Sequence, residues 1–385
     1  MGAAKLFQTT PRILSGPGTL AELGSEAKRL GAGKVLVVSD PGLVEAGLVE
    51  RAKAVVEEAG LSVELFTDVS ADPPYEIAEA AAAKAKEVQA ELVVGLGGGS
   101  SIDVAKIAAV LATNPGPVSK YFGVELIPGP GLPTIMVPTT AGTGSEVTPI
   151  AILSDEGEQL KKGVVSSYLF PAVAILDPEL TLSLPPQVTA ATGMDALIHA
   201  VEAFTSVKAT DMTDLLAMRA MELIFSNIRT AFANGADLAA RERMLEGSML
   251  AGMAFANAGV TAVHAFAYPI GAQFHIPHGV ANSIMLVPVM RFNMLGNLEK
   301  FAVMAEIFGE PTEGLSLREA AEAAVDALYT LSRDLSIPEH LREFGVEEEH
   351  IPQLAEGVMK VTRLLANNPR VLTLADAERI YREAL

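Results

Sequence analysis

Over the first half of the chain, apolar residues gather in short β-branched runs set apart by Ala- and Glu-rich stretches. The runs KVLVVS (34–39), SVELFT (62–67), LVVGL (92–96), TIMV (134–137) and AVAIL (172–176) predict strands, and their near-continuous apolar character fits strands buried on both faces. Residues 42–59 and 75–88 predict helices between them. Strand–helix alternation of this kind builds a mostly parallel, doubly wound α/β sheet. After Asp177-Pro178 the β-branched runs stop. Apolar residues now recur at helical spacing, as in Ala217, Met221, Ile224, Ile228 and Phe232 ahead of the Asn234-Gly235 stop, and the remainder predicts an all-helical unit. The paired prolines of LSLPP (182–186) can neither continue a strand nor sit inside a helix. They divide the chain into an α/β domain over 1–184 and a helical domain over 185–385. A length of 385 residues also favours two domains over one core.

Charge and composition narrow the partners. With 28 Lys and Arg against 47 Asp and Glu, the net charge is −19, which repels nucleic acid and anionic membrane surfaces. There is no cysteine, so disulfides, thiolate metal sites and thiol nucleophiles are excluded. The start, MGAAKLFQTTPRILSGPG, lacks the apolar core of a signal peptide, which points to the cytoplasm. One window, 247–290, holds no Asp, Glu, Lys or Arg and is long enough to cross a bilayer. It also contains Asn257, His264, Gln273, His275, His278 and Asn282, a polar content that fits a buried site better than a membrane span.

Two loops suggest a phosphate-bearing ligand. The strand at 92–96 runs into GLGGGSSIDVAK; consecutive glycines let a ligand approach the backbone, and the positive end of the following helix, capped by Ser100 or Ser101, favours a phosphate. The loop lacks the third glycine and distant acid of the usual dinucleotide fingerprint. VPTTAGTGSEVT (137–148) follows another buried strand, and open α/β sheets bind ligands at such strand ends. A third strand end carries Asp40 in VVSDPG. That carboxylate is either a turn former or an acceptor for ribose hydroxyls that repels a 2′-phosphate, favouring NAD over NADP.

In GMDALIHAVEAF (193–204), Asp195 and His199 are four apart and share one helical face, so both can ligate one ion. His264 and His278 in HAFAYPIGAQFHIPHG complete a set of one carboxylate and three imidazoles. A single histidine in an apolar helix is ordinarily a hydrogen-bonded core residue, but the chain has only six. Only one of His275 and His278 need be a ligand, with Pro277 and Gly279 expected to hold His278 in a fixed loop. Nitrogen and oxygen donors without sulfur suit Fe(II), Zn(II), Mn(II), Co(II) or Ni(II), and such an ion acts as a Lewis acid on an alcohol or carbonyl oxygen.

GLGGGSSIDVAK, PTTAGTGSEVT, GMDALIHAVEAF and HAFAYPIGAQFHIPHGVAN, in this order, resemble the iron-containing (group III) alcohol dehydrogenases over nearly the whole chain. The resemblance implies a Rossmann-like dinucleotide-binding domain, an all-α metal-binding domain of dehydroquinate synthase-like architecture, and a cleft between them. It implies metal ligands at Asp195, His199, His264 and His278, with His275 outside the set. NAD is expected on Gly98, Gly99, Ser100 and Asp103, with Thr139, Thr140, Thr143 and Thr148 along its path, Lys161 offering a positive charge and Asp40 at the position associated with NAD preference. Iron is the expected metal, and a dimer or larger homo-oligomer the expected assembly. The implied activity is reversible hydride transfer between a small primary alcohol or aldehyde and NAD(H).

Three positions depart from the family pattern. Tyr268 stands where many members carry a histidine proposed to relay the proton. It is the candidate catalytic residue, but a phenol titrating at about 10 is a poorer acid at neutral pH, so water or ribose hydroxyls are the alternative relay. Asp72 replaces a common asparagine, and Ile150 replaces a residue that is polar in some relatives, favouring a more apolar substrate pocket. A glycerol-dehydrogenase-like or dehydroquinate-synthase-like enzyme is the nearest rival, disfavoured by the continuous PTTAGTGSEVT. A metal-dependent hydrolase using the glycine loop for a substrate phosphate, or a non-catalytic NAD-binding protein, leaves more of these motifs unexplained.

Overall fold

A computed structural model describes residues 4–155, 157 and 160–385. The chain divides into two compact units, one of them Gln8–Leu184 and the other containing Pro185–Leu385. The first unit holds nine strands among the described residues: β1 (Ile13–Ser15), β2 (Lys34–Val38), β3 (Ser62–Phe66), β4 (Leu92–Gly97), β5 (Gly123–Val124), β6 (Thr134–Pro138), β7 (Ile150–Asp155), β8 (Leu160–Val165) and β9 (Val173–Leu176). Six form a parallel sheet in the order β1-β9-β6-β4-β2-β3. Its helices are α1 (Leu23–Arg29), α2 (Pro41–Glu45), α3 (Leu48–Glu58), α4 (Tyr75–Glu87) and α5 (Gly99–Thr113).

The apolar runs have a two-sided cause. Along β2, Val35 and Val37 join a core with Leu23, Ala52 and Val56 from α1 and α3, while Leu36 and Val38 join another with Ala81 from α4 and Ile102 and Ala105 from α5. The central strands β2, β4 and β6 thus each feed two cores, and burial on both faces removes the alternation that a one-sided sheet shows. The α/β fold class expected from the sequence is the one observed.

Several details differ from the sequence reading. The single helix expected over 42–59 is broken at Gly47, whose φ of 74° places it in the left-handed region. A second, three-stranded sheet, β5-β8-β7, was not foreseen, nor was β1. β8 (LKKGVV) carries two lysines and a glycine, and β1 has only three residues; neither presents a run of apolar or alternating residues from which a strand is read.

The second unit is helical throughout its described residues: α6 (Pro186–Thr205), α7 (Asp211–Ala233), α8 (Leu238–Ala258), α9 (Ala262–Phe274) and α10 (His278–Asn293) lead into shorter helices toward the C-terminus. On α7, Ala217, Met221, Ile224 and Ile228 are buried as their spacing requires. Among the described residues no single helix is long and apolar enough to cross a membrane; α8 and α9 pass together only as a pair bent by 102°. The bend follows Gly259, with φ 77° and ψ 158°, a backbone geometry that ends α8.

Candidate metal and cofactor sites

Three helices of the second unit deliver the metal-ligand candidates. Asp195 and His199 lie one turn apart on α6, His264 in the first turn of α9, and His278 at the first position of α10. This corrects a local expectation: His278 starts a helix, with Pro277 as its N-cap, rather than sitting in a loop. Ligand atoms of Asp195, His199 and His264 all lie within 4.8 Å of one another, and all three residues are buried. His278 approaches from the rim, its Nε2 3.7 Å from Asp195 Oδ1 and its side chain 30% exposed. The rings of His199 and His264 stack at 4.7 Å, and Phe255 covers the other face of His199 at 4.3 Å. His275 is exposed and caps α9 in a left-handed conformation, outside the cluster.

Burial alone would raise the Asp195 carboxyl, but His199, His278, His264 and the Asn282 amide outweigh it and hold its pKa at about 2. The carboxylate is therefore negative at any working pH and faces imidazole nitrogens. His264 Nε2, 3.8 Å from Asp195 Oδ1, is buried and makes no hydrogen bond within the protein. One anionic oxygen and several imidazole nitrogens around a point, one of them a buried nitrogen with its hydrogen-bonding capacity unspent, fit a divalent metal.

Two residues around this cluster escaped the sequence reading. Glu202, fully buried, pairs through Oε2 with His264 Nδ1 at 2.5 Å, while its Oε1 accepts from Thr261 Oγ1 at 2.6 Å and Val263 N at 2.7 Å. Asn282 donates through Nδ2 to Asp195 Oδ1 at 2.8 Å and lies 3.1 Å from His278 Nε2. The signal was present: Glu202 follows Asp195 by seven residues and His199 by three, on one helical face, and Asn282 follows His278 by four.

Tyr268, half-buried, stands one turn beyond His264, its ring 6.3 Å from that of His278. Burial pushes its phenol above the ordinary value, against the opposing influence of Arg363.

The cofactor candidates lie in the first unit, most of them at the carboxyl ends of β2, β4 and β6, which are adjacent in the sheet. From β2 the chain moves outward to β3 and returns to β4 on the other side, so the ends of β2 and β4 flank a topological switch point, where doubly wound sheets bind ligands. Asp40 caps α2 by accepting from Leu43 N, and its Oδ2 accepts from Ser101 Oγ at 3.2 Å, joining β2 to the glycine loop. Gly98 is the N-cap of α5, so Ser100 and Ser101 fall inside the first turn rather than capping it. The first-turn amides have no intrahelical acceptor and remain available to an anion. Gly97 has φ 151°, and a Cβ there would stand 2.6 Å from Ser101 Oγ; one on Gly99 would meet Thr143 Cγ2 at 2.6 Å. Thr140 and Thr143 thus lie directly against the glycine loop, and Thr139 N bonds Gly97 O.

The other candidates are placed differently. Asp103 accepts from Ser145 Oγ at 2.6 Å and Ile152 N at 2.8 Å. Thr148 packs around Lys106, a fully buried lysine whose Nζ donates to Ser145 Oγ and to the carbonyls of Thr148 and Ile150, each at 2.9 Å. Burial brings Lys106 down to about 8 despite Asp103 and Glu146. Burial likewise raises Glu146 to about 7, opposed by a backbone amide and Lys106. Lys161, on β8, is ion-paired with Asp72 at 2.6 Å. Asp103 and Lys106 fix the 145–152 segment to α5, a role that a lone lysine in SSIDVAKIAAV did not reveal.

Residues 10–178 match the domain family described as iron-containing alcohol dehydrogenase, and residues 189–385 the Fe-containing alcohol dehydrogenase family, C-terminal. The chain is 46% identical over 372 residues to long-chain-alcohol dehydrogenase 1 of Geobacillus thermodenitrificans (strain NG80-2), covering 96% of this chain and 94% of that protein. It is 38% identical to the NAD-dependent methanol dehydrogenase of Bacillus methanolicus, covering 98% and 99%. A crystal structure of a 1,3-propanediol oxidoreductase superposes with a TM-score of 0.97 at 40% identity, covering all of both chains.

Proposed function

The chain belongs to the iron-containing alcohol dehydrogenase family, and from that premise we propose that it exchanges a hydride between a small primary alcohol, or the corresponding aldehyde, and NAD(H). The observation that carries the reading is the convergence of Asp195, His199 and His264, with His278 at the rim, on one point of the helical unit. We assign these four as ligands of a divalent metal, with Fe(II) foremost and Zn(II), Mn(II), Co(II) and Ni(II) as competent substitutes. Bound there, the metal supplies Lewis acidity toward an alcohol or aldehyde oxygen, and NAD(H) supplies the hydride acceptor or donor.

The chain's own groups do the rest. Asp195 contributes a permanent negative charge, so a divalent ion is only partly neutralised and keeps its pull on an oxygen. Gly98, Gly99 and Ser100 present first-turn amides to a pyrophosphate. Thr139, Thr140 and Thr143 border that loop, Asp103 and Thr148 serve the cofactor path by fixing the 145–152 segment, and Lys161 offers a positive charge. Asp40 keeps lone pairs for ribose hydroxyls and disfavours a 2′-phosphate, hence NAD rather than NADP. Tyr268 stays protonated at neutral pH, so it orients and donates; the alcohol proton leaves through water or ribose hydroxyls. Ile150 favours apolar alcohols over diols or sulfonated aldehydes. We place the enzyme in the cytoplasm as a homodimer or larger homo-oligomer, acting on neither nucleic acid nor membrane.

The test is NAD reduction across a panel of primary alcohols, using protein stripped of metal and reloaded separately with iron, zinc, manganese, cobalt or nickel. Activity restored by metal, with iron foremost, supports the reading. Silence with the metal demonstrably bound overturns it.

A further inference from the structure

We propose that Glu202 is a positioning residue that sets the tautomer of His264, keeping Nε2 free of a proton so that it can bind metal. The inference rests on the assignment of His264 as a ligand. Glu202 carries three contacts on two oxygens. Its Oε1 accepts from the backbone amide of Val263 at 2.7 Å and from Thr261 Oγ1 at 2.6 Å. The amide can only donate, so Oε1 must be an acceptor. Oε2 is left facing His264 Nδ1, and a carboxylate oxygen there accepts a hydrogen bond from an Nδ1–H of the ring. A neutral imidazole with its proton on Nδ1 has a bare Nε2, the atom that lies toward Asp195. Thr261 and Val263 flank the start of the helix that carries His264, so one carboxylate fixes both the helix entry and the ring orientation.

The geometry makes Glu202→Gln an asymmetric change. The variant keeps the shape, but its single oxygen is held on the Oε1 side by the Val263 amide, which turns the NH2 toward His264 Nδ1. Two donors cannot face each other, so the ring must accept at Nδ1 and carry its proton on Nε2, where it blocks the metal.

The experiment labels the histidines with 15N and reads ring-nitrogen shifts in metal-free protein at mildly alkaline pH, with His264 assigned by its loss in His264→Asn. Wild-type protein is expected to show Nδ1 protonated and Nε2 bare, and Glu202→Gln the reverse. Zinc affinity, measured by chelator competition, is expected to fall by about ten- to a hundredfold in the variant. The wild-type spectrum alone keeps the inference falsifiable if the variant does not fold: a proton on Nε2 in wild type overturns it. So does a Glu202→Gln protein with unchanged tautomer and zinc affinity. If wild-type protein takes up no zinc, the ligand assignment falls, and the tautomer alone decides what Glu202 does to the ring.

Discussion

Cutting one imidazole out of the cluster should have different consequences according to where it sits. His264 is buried against Glu202, so His264→Ala both empties a metal position and strands a buried carboxyl. We expect loss of metal together with about 1–3 kcal/mol of stability in the metal-free protein. His278 stands at the rim, 30% exposed, and His278→Ala should lose metal and turnover while the metal-free stability moves by less than about 1 kcal/mol. Metal content by elemental analysis and chemical denaturation separate the two. Tyr268→Phe removes only a phenol that burial holds protonated; turnover is expected to fall by less than the roughly hundredfold that loss of a general acid or base costs, and a larger loss would return the proton relay to Tyr268. At this scale the sequence was most informative where residues repeat at helical spacing, as with Asp195 and His199. It was least informative for Glu202 and Asn282, because a single polar residue in an apolar helix acquires its meaning only from the partner that a distant helix brings.

At the level of elements, close backbone approach decides how His278 reaches Asp195. A Cβ on Gly279 would stand 2.3 Å from the carbonyl oxygen of Ala191 on α6, and a helix backbone cannot yield as a side chain tip can. Gly279→Ala should therefore push α10 off α6, cost about 1–3 kcal/mol and weaken metal binding; calorimetry with a metal titration checks both. The segment 145–152 offers a pH prediction. Glu146 is raised from about 4.5 to about 7 when folded, so between those values the native state holds a proton that the unfolded state has released. Its contribution is fully present below about 4.5 and is lost as pH rises toward 7. Relative to wild type, Glu146→Gln should lose this pH dependence in a melting-temperature profile, and identical profiles would show that the carboxyl does not titrate there. β2, β4, β6 and β9 were legible because burial on two faces writes a plain apolar run, and the edge strand β3 because apolar residues alternate there with exposed polar ones. The β7–β8 hairpin was not, since Lys161 and Lys162 earn their places through Asp72 and Asp155, pairings that no local pattern encodes.

For the molecule as a whole, the metal candidates fall in one unit and the dinucleotide candidates in the other, although Asp195 and His278 are far apart in sequence. An ion joining α6, α9 and α10 is expected to stabilise the native state by about 2.7 kcal/mol when present at a hundred times its dissociation constant. Chelation should accordingly lower the melting temperature and accelerate amide exchange first in those three helices; exchange that speeds up uniformly would argue against the site. The fold class was readable from the change of hydrophobic period near Asp177, whereas strand order was not, because sequence alone does not say which strand lies beside which. That order has a consequence for biosynthesis. β1 sits at the sheet edge with β9 as its neighbour, Ile13 opposite Ala174, so during synthesis β1 waits for a partner made roughly 160 residues later. At about 5–20 residues per second that delay is on the order of ten to thirty seconds, during which the growing sheet keeps an open flank and a chaperone has its clearest reason to attend.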